Sequence, residues 1–267
     1  MRDVRALFSL EGRAAVVTGG AGHIGGAIAD ALAELGAAVA ILDVDAARTE
    51  SAAQRLARER GVPALALAID LEDEAAVRAA PARAVEAFGR LDILVNCAAL
   101  VGTSGLPGWG VPLREQSAVS FRRALEVNIT APFVLAQAAA DALGAHGCGS
   151  IVNVLSIYGL VGPDERLYEG TPMGNPAAYG ASKAALLQFT RHLATTLAPR
   201  VRANAITPGG VARGQSQAFR ERYDARTPLG RMAVEEDFKG AAAFLASDAS
   251  AYVTGQNLVV DGGWTAW

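Results

Sequence analysis

Short apolar runs alternate with longer amphipathic segments along the whole chain. Seven runs lack polar alternation, which is typical of strands buried on both faces of a parallel sheet. These predicted strands are residues 14–17, 38–42, 64–69, 91–95, 150–155, 201–206 and 257–260. Helical spacing of apolar residues predicts helices at 24–35, 45–60, 72–88, 119–144, 178–197 and 234–247. Strands joined by crossover helices predict an α/β fold, a doubly wound parallel sheet of seven strands.

No linker, repeat or low-complexity segment divides this pattern, so residues 1–267 are predicted to form a single domain. Two segments, 100–117 and about 160–176, carry neither period. Structureless segments of this length in a compact domain are usually functional loops. We therefore expect a cofactor-binding half at about 10–155. The expected substrate loops are about 100–117, 157–178 and 209–232.

A glycine-rich turn follows the first predicted strand and opens the first helix. Gly19, Gly22 and Gly25 have the spacing G-x-x-G-x-x-G. Glycine permits the tight turn and the close backbone approach, while the helix N-terminus favours a pyrophosphate. Asp43 ends the second strand, 18 positions after Gly25, near the spacing of an acid that binds a ribose. The turn predicts a Rossmann-type dinucleotide site.

Asp43 also discriminates between cofactors. Its carboxylate would accept a hydrogen bond from the ribose 2′-OH and repel a 2′-phosphate. No arginine lies at positions 19–26 or 44–47, so NAD is predicted in preference to NADP. Asp70 ends the third strand and has two compatible interpretations, the N-cap of a helix starting near Glu72 and a contact with the adenine.

The composition of the chain argues against several classes of function. The net charge of −3 lacks the basic excess of proteins that bind nucleic acid or anionic membranes. Two cysteines and three scattered histidines predict neither a disulfide framework nor a metal site. No apolar run approaches the ~20 residues of a membrane span, and the N-terminus lacks the apolar stretch of a signal peptide. We expect a cytoplasmic enzyme or small-molecule binder.

A tyrosine and a lysine lie four residues apart in the predicted helix 178–197. Tyr179 and Lys183 therefore share one helix face, where the ammonium could lower the pKa of the phenol. Such pairs are common, but this chain has 22 arginines and only two lysines, so a retained lysine suggests a specific role. Ser156, at a strand end, could hydrogen-bond a substrate oxygen.

Together these motifs resemble the short-chain dehydrogenase/reductase family, and the resemblance runs almost end to end. The matching positions are Thr18–Gly25, Asp70, Asn96-Cys97-Ala98-Ala99, Val127-Asn128, Ser156, Tyr179–Lys183, Pro208-Gly209, Thr254-Gly255-Gln256 and Asp261-Gly262-Gly263. The resemblance implies an NAD-dependent oxidoreductase that interconverts a secondary alcohol and a ketone. It also implies a homotetramer or homodimer.

The resemblance further implies roles for individual residues. Tyr179 would be the general acid/base, Ser156 would hold the reacting oxygen, and Lys183 would bind the nicotinamide ribose. Asn128 would hold a water in the proton relay. The implied cofactor-binding set is Gly19, Gly22, His23, Ile24, Gly25, Asp43, Asp70, Leu71, Asn96, Ala98, Tyr179, Lys183, Pro208, Gly209 and Val211.

Three positions depart from the family pattern. His23 replaces the middle glycine of the turn, and it is either a surface residue at the helix start or a phosphate contact. Cys97 replaces an asparagine and is predicted to be a small apolar filler. Arg213 stands where the family often has Thr or Ser next to the nicotinamide.

Two other functions are compatible with parts of the pattern. The Gly22 spacing resembles sugar-nucleotide epimerases and dehydratases, although these generally add a larger C-terminal substrate domain. A non-enzymatic NAD-binding protein is the third hypothesis, but it would not need Ser156, Tyr179 and Lys183 together. The predicted loop 160–176 contains many polar residues, which favours a small polar or sugar-like substrate.

Overall fold

The computed structural model describes residues 1–102, 104–171 and 173–267 of the chain. Thr103 and Pro172, which fall within two of the predicted loops, lie outside the described residues. Seven strands form one sheet in which every adjacent pair is parallel. The strands are β1 (Ala14–Thr18), β2 (Ala38–Asp43), β3 (Ala64–Ala68), β4 (Ile93–Asn96), β5 (Gly149–Val154), β6 (Val201–Pro208) and β7 (Asn257–Val260).

Helices cover both faces of the sheet. They are α1 (Val4–Phe8), α2 (His23–Glu34), α3 (Ala46–Arg60), α4 (Glu74–Phe88), α5 (Ala118–Leu125), α6 (Ala131–Gly144), α7 (Ala177–Thr196), α8 (Gln217–Arg226) and α9 (Lys239–Ala246). Consecutive residues of β1 alternate between two apolar clusters. Val16 packs in the cluster that includes residues of α4 and α6, whereas Ala15 and Val17 pack in the cluster of α2, α3 and α9. The α/β fold and its seven-stranded parallel sheet are confirmed.

The strand order is β3-β2-β1-β4-β5-β6-β7. The chain therefore winds outward from β1 in one direction and from β4 in the other. Parallel strands all end at the same edge, and a crevice forms there where the order reverses. Asp43, Asn96 and Pro208 each end a strand and consequently lie along this edge.

Several predicted elements differ in the structure. The single predicted helix 119–144 is α5 and α6 joined by one π-helical turn, Glu126–Thr130. The predicted helix 234–247 begins as a 3₁₀ helix, Glu235–Phe238, before α9. The predicted loop 209–232 contains α8, which sequence periodicity missed because only Phe219 and Tyr223 of its ten residues are buried. The loops 100–117 and 160–176 hold the 3₁₀ turns Leu113–Glu115 and Glu165–Tyr168.

A smaller apolar cluster joins the segments beyond β5 and β6 to the C-terminal tail. It consists of Ile157, Leu167, Phe219, Tyr223, Met232 and Trp264. Arg226 stacks on Trp264, with its guanidinium 4.4 Å from the ring centroid. The predicted substrate loops 157–178 and 209–232 are therefore held against each other by side-chain packing.

No helix within the described ranges is long and apolar enough to cross a membrane. Across the same ranges, no group of three or more His, Cys, Asp and Glu side chains is placed to hold a metal ion.

Close packing requires two glycines in the first turn. Gly19 has φ of +67°, and a Cβ placed on it would lie 2.9 Å from Cα of Ala98. A Cβ on Gly25 would lie 2.1 Å from the carbonyl oxygen of Gly19. The neighbouring Gly26 differs, because its nearest contact would be 3.5 Å away, at the carbonyl oxygen of Gly20.

We predict that Gly25→Ala lowers the free energy of unfolding by about 1–3 kcal/mol or more, because helix α2 must move away from the turn. Gly26→Ala is the matched control, and it should be neutral or stabilising by about 0.4–1 kcal/mol. Urea unfolding of both variants measures the difference. Equal midpoints for the two variants would show that the contact with Gly19 does not limit this position.

Candidate active site

The N-terminus of α2 faces the crevice at the sheet edge. Gly22 is the N-cap residue and supplies no side-chain cap, so the first backbone N–H groups of this 12-residue helix lack a side-chain partner. The Gly22 N–H donates to the carbonyl oxygen of Gly19 at 3.0 Å, which closes the turn. Gly19, Gly22, Ile24 and Gly25 thus form a concave turn with polar hydrogens at a helix N-terminus, which suits a phosphate.

Asp43 lies at the end of β2, against this turn. Its carboxylate accepts hydrogen bonds from the N–H groups of Ala21, at 3.2 Å, and of Val44, at 2.8 Å. Sequence reasoning missed Arg48, whose Nη2 donates to the carbonyl oxygen of Ala21 at 2.7 Å. The Asp43 carboxylate and the Arg48 guanidinium therefore both form hydrogen bonds with the backbone of Ala21. Arg48 lies one position beyond the window 44–47, and helix α3 brings it back to the turn.

Asp70 and Leu71 follow β3 at the same edge. Asp70 is exposed, and its Oδ1 accepts a hydrogen bond from the N–H of Glu72 at 3.0 Å. The interpretation of Asp70 as the N-cap is wrong, because α4 starts at Glu74 and Asp73 accepts the capping bond from Ala76. Leu71 is buried. The second oxygen of Asp70 remains available to a ligand.

The loop after β4 is fixed by Thr18. Its hydroxyl accepts hydrogen bonds from the N–H groups of Cys97, at 3.0 Å, and Ala98, at 3.1 Å. Asn96 is buried in the sheet, and its amide donates to Oδ1 of Asn153 at 2.8 Å. The Asn96 side chain thus bridges β4 and β5. Burial raises the pKa of the Cys97 thiol to about 11, as expected for a filler rather than a nucleophile.

Ser156, Tyr179 and Lys183 converge beyond the end of β5. Ser156 is buried and caps the 3₁₀ turn Ile157–Gly159, accepting from the N–H of Tyr158 at 3.2 Å. Lys183 is 2% exposed, and its Nζ donates to the carbonyl oxygen of Val154 at 2.7 Å. This Nζ lies 6.0 Å from the centroid of the Tyr179 ring.

Burial shifts the pKa of both Lys183 and Tyr179. It lowers the pKa of Lys183 to about 8, because a desolvated ammonium is less stable than the neutral amine. It also raises the pKa of Tyr179, while a hydrogen bond from Ser156 and the charge of Arg213 oppose this increase. The lysine therefore remains protonated at neutral pH and lies beside a phenol that the same burial keeps protonated.

Asn128 lies in the π-helical turn, buried beneath the site. Its Oδ1 accepts from the N–H of Leu100 at 2.7 Å. Its Nδ2 donates to the carbonyl oxygen of Leu100 at 3.1 Å and to Oγ of Ser182 at 3.0 Å. Asn128 therefore ties the loop after β4 to α7, and both N–H donors of its amide are used. Functional sites often contain such π-helical turns.

Pro208, Gly209 and Val211 leave the end of β6 at the same edge. Gly209 donates to the carbonyl oxygen of Val260 at 2.9 Å, and Val211 forms a parallel bridge with Ala233. Arg213 follows, and its Nε donates to Oε1 of Glu235 at 3.2 Å. The same oxygen lies 3.3 Å from Nδ1 of His23 in the glycine turn. One carboxylate thus connects two positions that depart from the family pattern.

Most polar side chains of segment 160–176 bond within the protein or are exposed. Asp164 pairs with Arg166 at 2.8 Å and with Arg226 at 3.0 Å. Thr171 bonds to the carbonyl oxygen of Tyr168 at 2.8 Å. Glu165, Arg166 and Glu169 are exposed. Many of the polar residues from which the sequence predicts a polar substrate therefore bond within the protein or are exposed, and they do not by themselves identify the substrate.

Two tyrosines and an asparagine form a separate hydrogen-bonded group. The hydroxyls of Tyr158 and Tyr168 are 2.7 Å apart, and Nδ2 of Asn175 donates to Tyr168 at 3.5 Å. Tyr168 lies near enough to Tyr179 to influence its pKa. These groups therefore form a polar surface beside the reacting position.

The residues at the crevice fit a nicotinamide dinucleotide. The glycine turn leaves a cradle that a Cβ would fill, and a helix N-terminus points into it. Asp43 offers a carboxylate beside the turn, while Tyr179 and Lys183 lie at the far side of β4. The crevice thus provides a ribose acceptor, a pyrophosphate cradle and an acid/base pair in the order in which a dinucleotide presents its parts.

Comparisons with known proteins agree with this fit. Residues 19–265 match a family model described as Enoyl-(Acyl carrier protein) reductase. The chain is 39% identical to cis-4-hydroxycyclohexanecarboxylate dehydrogenase of Sinomonas cyclohexanicum, over 95% of this chain and 97% of that protein.

Two solved structures have closely similar folds. One is a gluconate 5-dehydrogenase from Burkholderia cenocepacia J2315 in complex with NADP and tartrate, with 32% identity, a TM-score of 0.87 and coverage of 99% and 100%. The other is NAD⁺-bound xylitol dehydrogenase, with 32% identity, a TM-score of 0.83 and coverage of 95% and 99%. The chain belongs to the short-chain dehydrogenase/reductase family and is an oxidoreductase that acts on CH–OH groups.

Proposed function

We propose that the protein interconverts a secondary alcohol and a ketone on a small polar substrate, a polyol or sugar acid, with NAD as the preferred cofactor. The observation that carries the proposal is the convergence of Ser156, Tyr179 and Lys183 beside the dinucleotide crevice. The related dehydrogenases act on a hydroxylated ring carboxylate, a sugar acid and a polyol, which supports this substrate class.

The chain's own residues hold the reacting oxygen and move its proton. Ser156 donates a hydrogen bond to the carbonyl or carbinol oxygen. Tyr179 gives its phenolic proton to that oxygen during reduction and takes it back during oxidation. Lys183 keeps a positive charge beside the phenol, which favours the phenolate once the proton has left. The cofactor, when bound, supplies or accepts the hydride.

Asn128 helps to hold α7, which carries Tyr179 and Lys183, in place. Its side chain joins Leu100 to Ser182, which lies on α7 about one helical turn after Tyr179. We propose that the relay water contacts the remaining lone pair of Asn128 Oδ1, because both amide hydrogens already donate to other groups. We propose the whole cofactor-binding set named from the sequence, in which Ala98, Pro208, Gly209 and Val211 contribute through their backbone.

NAD preference is proposed from Asp43. Its carboxylate accepts bonds from ribose hydroxyls and repels a 2′-phosphate. Arg48 has the opposite tendency, because a guanidinium beside the turn accommodates that phosphate. The related structures hold NADP in one case and NAD⁺ in the other. We propose that the balance between Asp43 and Arg48 decides the preference in this protein.

We also propose how the protein assembles and where it is located. Phe121 on α5 and Phe133 on α6 are 37% and 46% exposed, and such apolar side chains suit the helix packing of a homotetramer or homodimer. Cys97 and Cys148 are free thiols, which suits the cytoplasm. We propose a single domain with a cofactor half at about 10–155 and substrate loops at about 100–117, 157–178 and 209–232.

The substrate class is tested with a panel of alcohols. We predict that kcat/KM for sugar-type polyols and sugar acids exceeds that for apolar secondary alcohols of similar size by well over ~10-fold, because buried polar groups would otherwise lack partners. Tyr168→Phe should lower kcat/KM for the polar set by about 10-fold through one lost hydrogen bond. NADH absorbance measures every rate.

Two variants complete this experiment. Tyr252→Phe is the matched control, because Tyr252 is fully exposed. Tyr179→Phe should lower kcat by ~10²–10⁴-fold with dinucleotide binding unchanged, since it removes the proton donor. A preference for apolar alcohols would contradict the substrate class, and retention of more than about a tenth of kcat in Tyr179→Phe would contradict the mechanism.

Cofactor preference gives a separate prediction. Asp43→Ala should weaken NADH binding by roughly 5–150-fold, through the lost bond to the ribose, and strengthen NADPH binding. In Asp43→Ala/Arg48→Gln the gain in NADPH binding should disappear, because the guanidinium supplies it. Fluorescence titration of both dinucleotides measures the dissociation constants.

The control for this titration is Asp141→Ala, an exposed carboxylate on α6 that forms no side-chain hydrogen bond within the described ranges. It should leave both dissociation constants unchanged. If the unaltered protein binds NADPH as tightly as NADH, the preference for NAD is wrong.

A further inference from the structure

Arg213, Glu235 and His23 form a cluster of polar side chains beside the N-terminus of α2. Glu235 Oε1 accepts from Nε of Arg213 at 3.2 Å and lies 3.3 Å from Nδ1 of His23. His23 is the first residue of α2, whereas Arg213 belongs to the segment after β6. The guanidinium is therefore tied to the helix end that faces the crevice.

The backbone around Arg213 is fixed by several hydrogen bonds. Ala212 N–H donates to the carbonyl oxygen of Ala233 at 3.0 Å, and Arg213 N–H donates to the side chain of Gln215 at 2.6 Å. Gln215 in turn donates to the carbonyl oxygen of Val211 at 2.8 Å. The start of the Arg213 side chain is thus set by a short, well-bonded segment.

Glu235 accepts a hydrogen bond from only one nitrogen of the Arg213 guanidinium. The bond runs through Nε, and the two terminal amino groups of Arg213 make no hydrogen bond to any residue in 1–102, 104–171 or 173–267. The side chain is about one-third exposed. A guanidinium held at Nε presents its two terminal amino groups as a planar pair of donors, which matches a phosphate.

The position of Arg213 relative to Tyr179 limits which part of a dinucleotide the guanidinium can reach. Burial raises the pKa of Tyr179 and of Cys97, and the positive charge of Arg213 opposes both increases, so the guanidinium lies within electrostatic reach of the catalytic phenol. Arg213 thus lies between the pyrophosphate cradle and the position of hydride transfer. The nicotinamide-side half of a dinucleotide must span that interval.

We propose that Arg213 binds the nicotinamide-side phosphate of the cofactor pyrophosphate and that Glu235 is the positioning residue that orients it. The proposal rests on the dinucleotide site of the proposed function, but not on the choice between NAD and NADP, because both carry this phosphate. It also accounts for two departures from the family pattern at once, since Glu235 links His23 to Arg213. An arginine at position 213 brings a charged donor pair where Thr or Ser would bring one hydroxyl.

The test is a set of binding measurements on Arg213→Thr, which restores the residue common in the family. NADH, ADP-ribose and AMP are titrated against the full-length protein. Arg213→Thr should weaken NADH and ADP-ribose by about 10-fold or more, the usual effect of losing a hydrogen bond to a charged group. AMP, which lacks the nicotinamide-side phosphate, should change by less than about 2-fold.

Each ligand excludes a different alternative. Unchanged ADP-ribose with weaker NADH would place Arg213 on the nicotinamide and overturn the proposal. Unchanged NADH with a higher KM for carboxylated substrates would place it on the substrate and overturn the proposal equally. A loss of AMP binding equal to that of NADH would indicate general damage to the crevice and also contradict it.

Glu235→Gln tests the positioning role. It should raise KM for the dinucleotide more than it lowers kcat, and it should add less than about 2-fold to the loss in Arg213→Thr, because it acts through Arg213. Full additivity of the two changes would overturn the role of Glu235. Arg83→Thr, an exposed arginine on α4, is the matched control and should leave all three ligands unchanged.

A failure of the proposed function is distinguishable from a failure of this inference. The titrations need no substrate, so a wrong substrate class leaves them intact. If NADPH proves to be the tighter ligand of the unaltered protein, it replaces NADH in the same series with the same expected ratios. If neither dinucleotide binds, both the proposed function and this inference are wrong.

Discussion

The burial of Lys183 is the constraint on which the arrangement of the site depends. The residue is 2% exposed, and among the described residues its ammonium makes one hydrogen bond, to the carbonyl oxygen of Val154 at 2.7 Å. Lowering its pKa from 10.5 to about 8 corresponds to roughly 3 kcal/mol against the charged form. The protein accepts this cost because burial leaves the charge unscreened by water and effective at short range. A surface ion pair would contribute far less, since its charges are hydrated and screened.

Neighbouring elements are packed to keep this charge in place. A Cβ on Gly159 would lie 2.9 Å from the backbone carbon of Lys183, and one on Gly180 would lie 2.8 Å from the carbonyl oxygen of Tyr158. The 3₁₀ turn that follows Ser156 therefore lies directly on α7. Small residues at these two positions set the distance between the serine and the tyrosine–lysine face, so the geometry of the site follows from backbone packing.

The sequence predicts the sheet and the dinucleotide turn well because their patterns are local. Strands buried on both faces are continuous apolar runs, and the turn needs glycine wherever backbones touch. Sequence patterns fail to predict features that depend on contacts between residues far apart in the chain. Helix α8 has only two buried residues and therefore little periodicity, and Asp164 pairs with Arg226, a partner 62 positions away. Arg48 and Glu235 reach the crevice only because the fold returns them to it.

The most direct test of this account is the pKa of Lys183 itself. The chain has only two lysines, so ¹⁵N-lysine labelling gives one side-chain signal for Lys183 and one for Lys239. The account predicts that one signal titrates near pH 8 and is absent in Lys183→Arg, while the other, from Lys239, titrates above its usual value because Glu34 and Asp30 pair with it. If both lysines titrate at or above 10.5, burial does not destabilise the charged form of Lys183, and the account is contradicted.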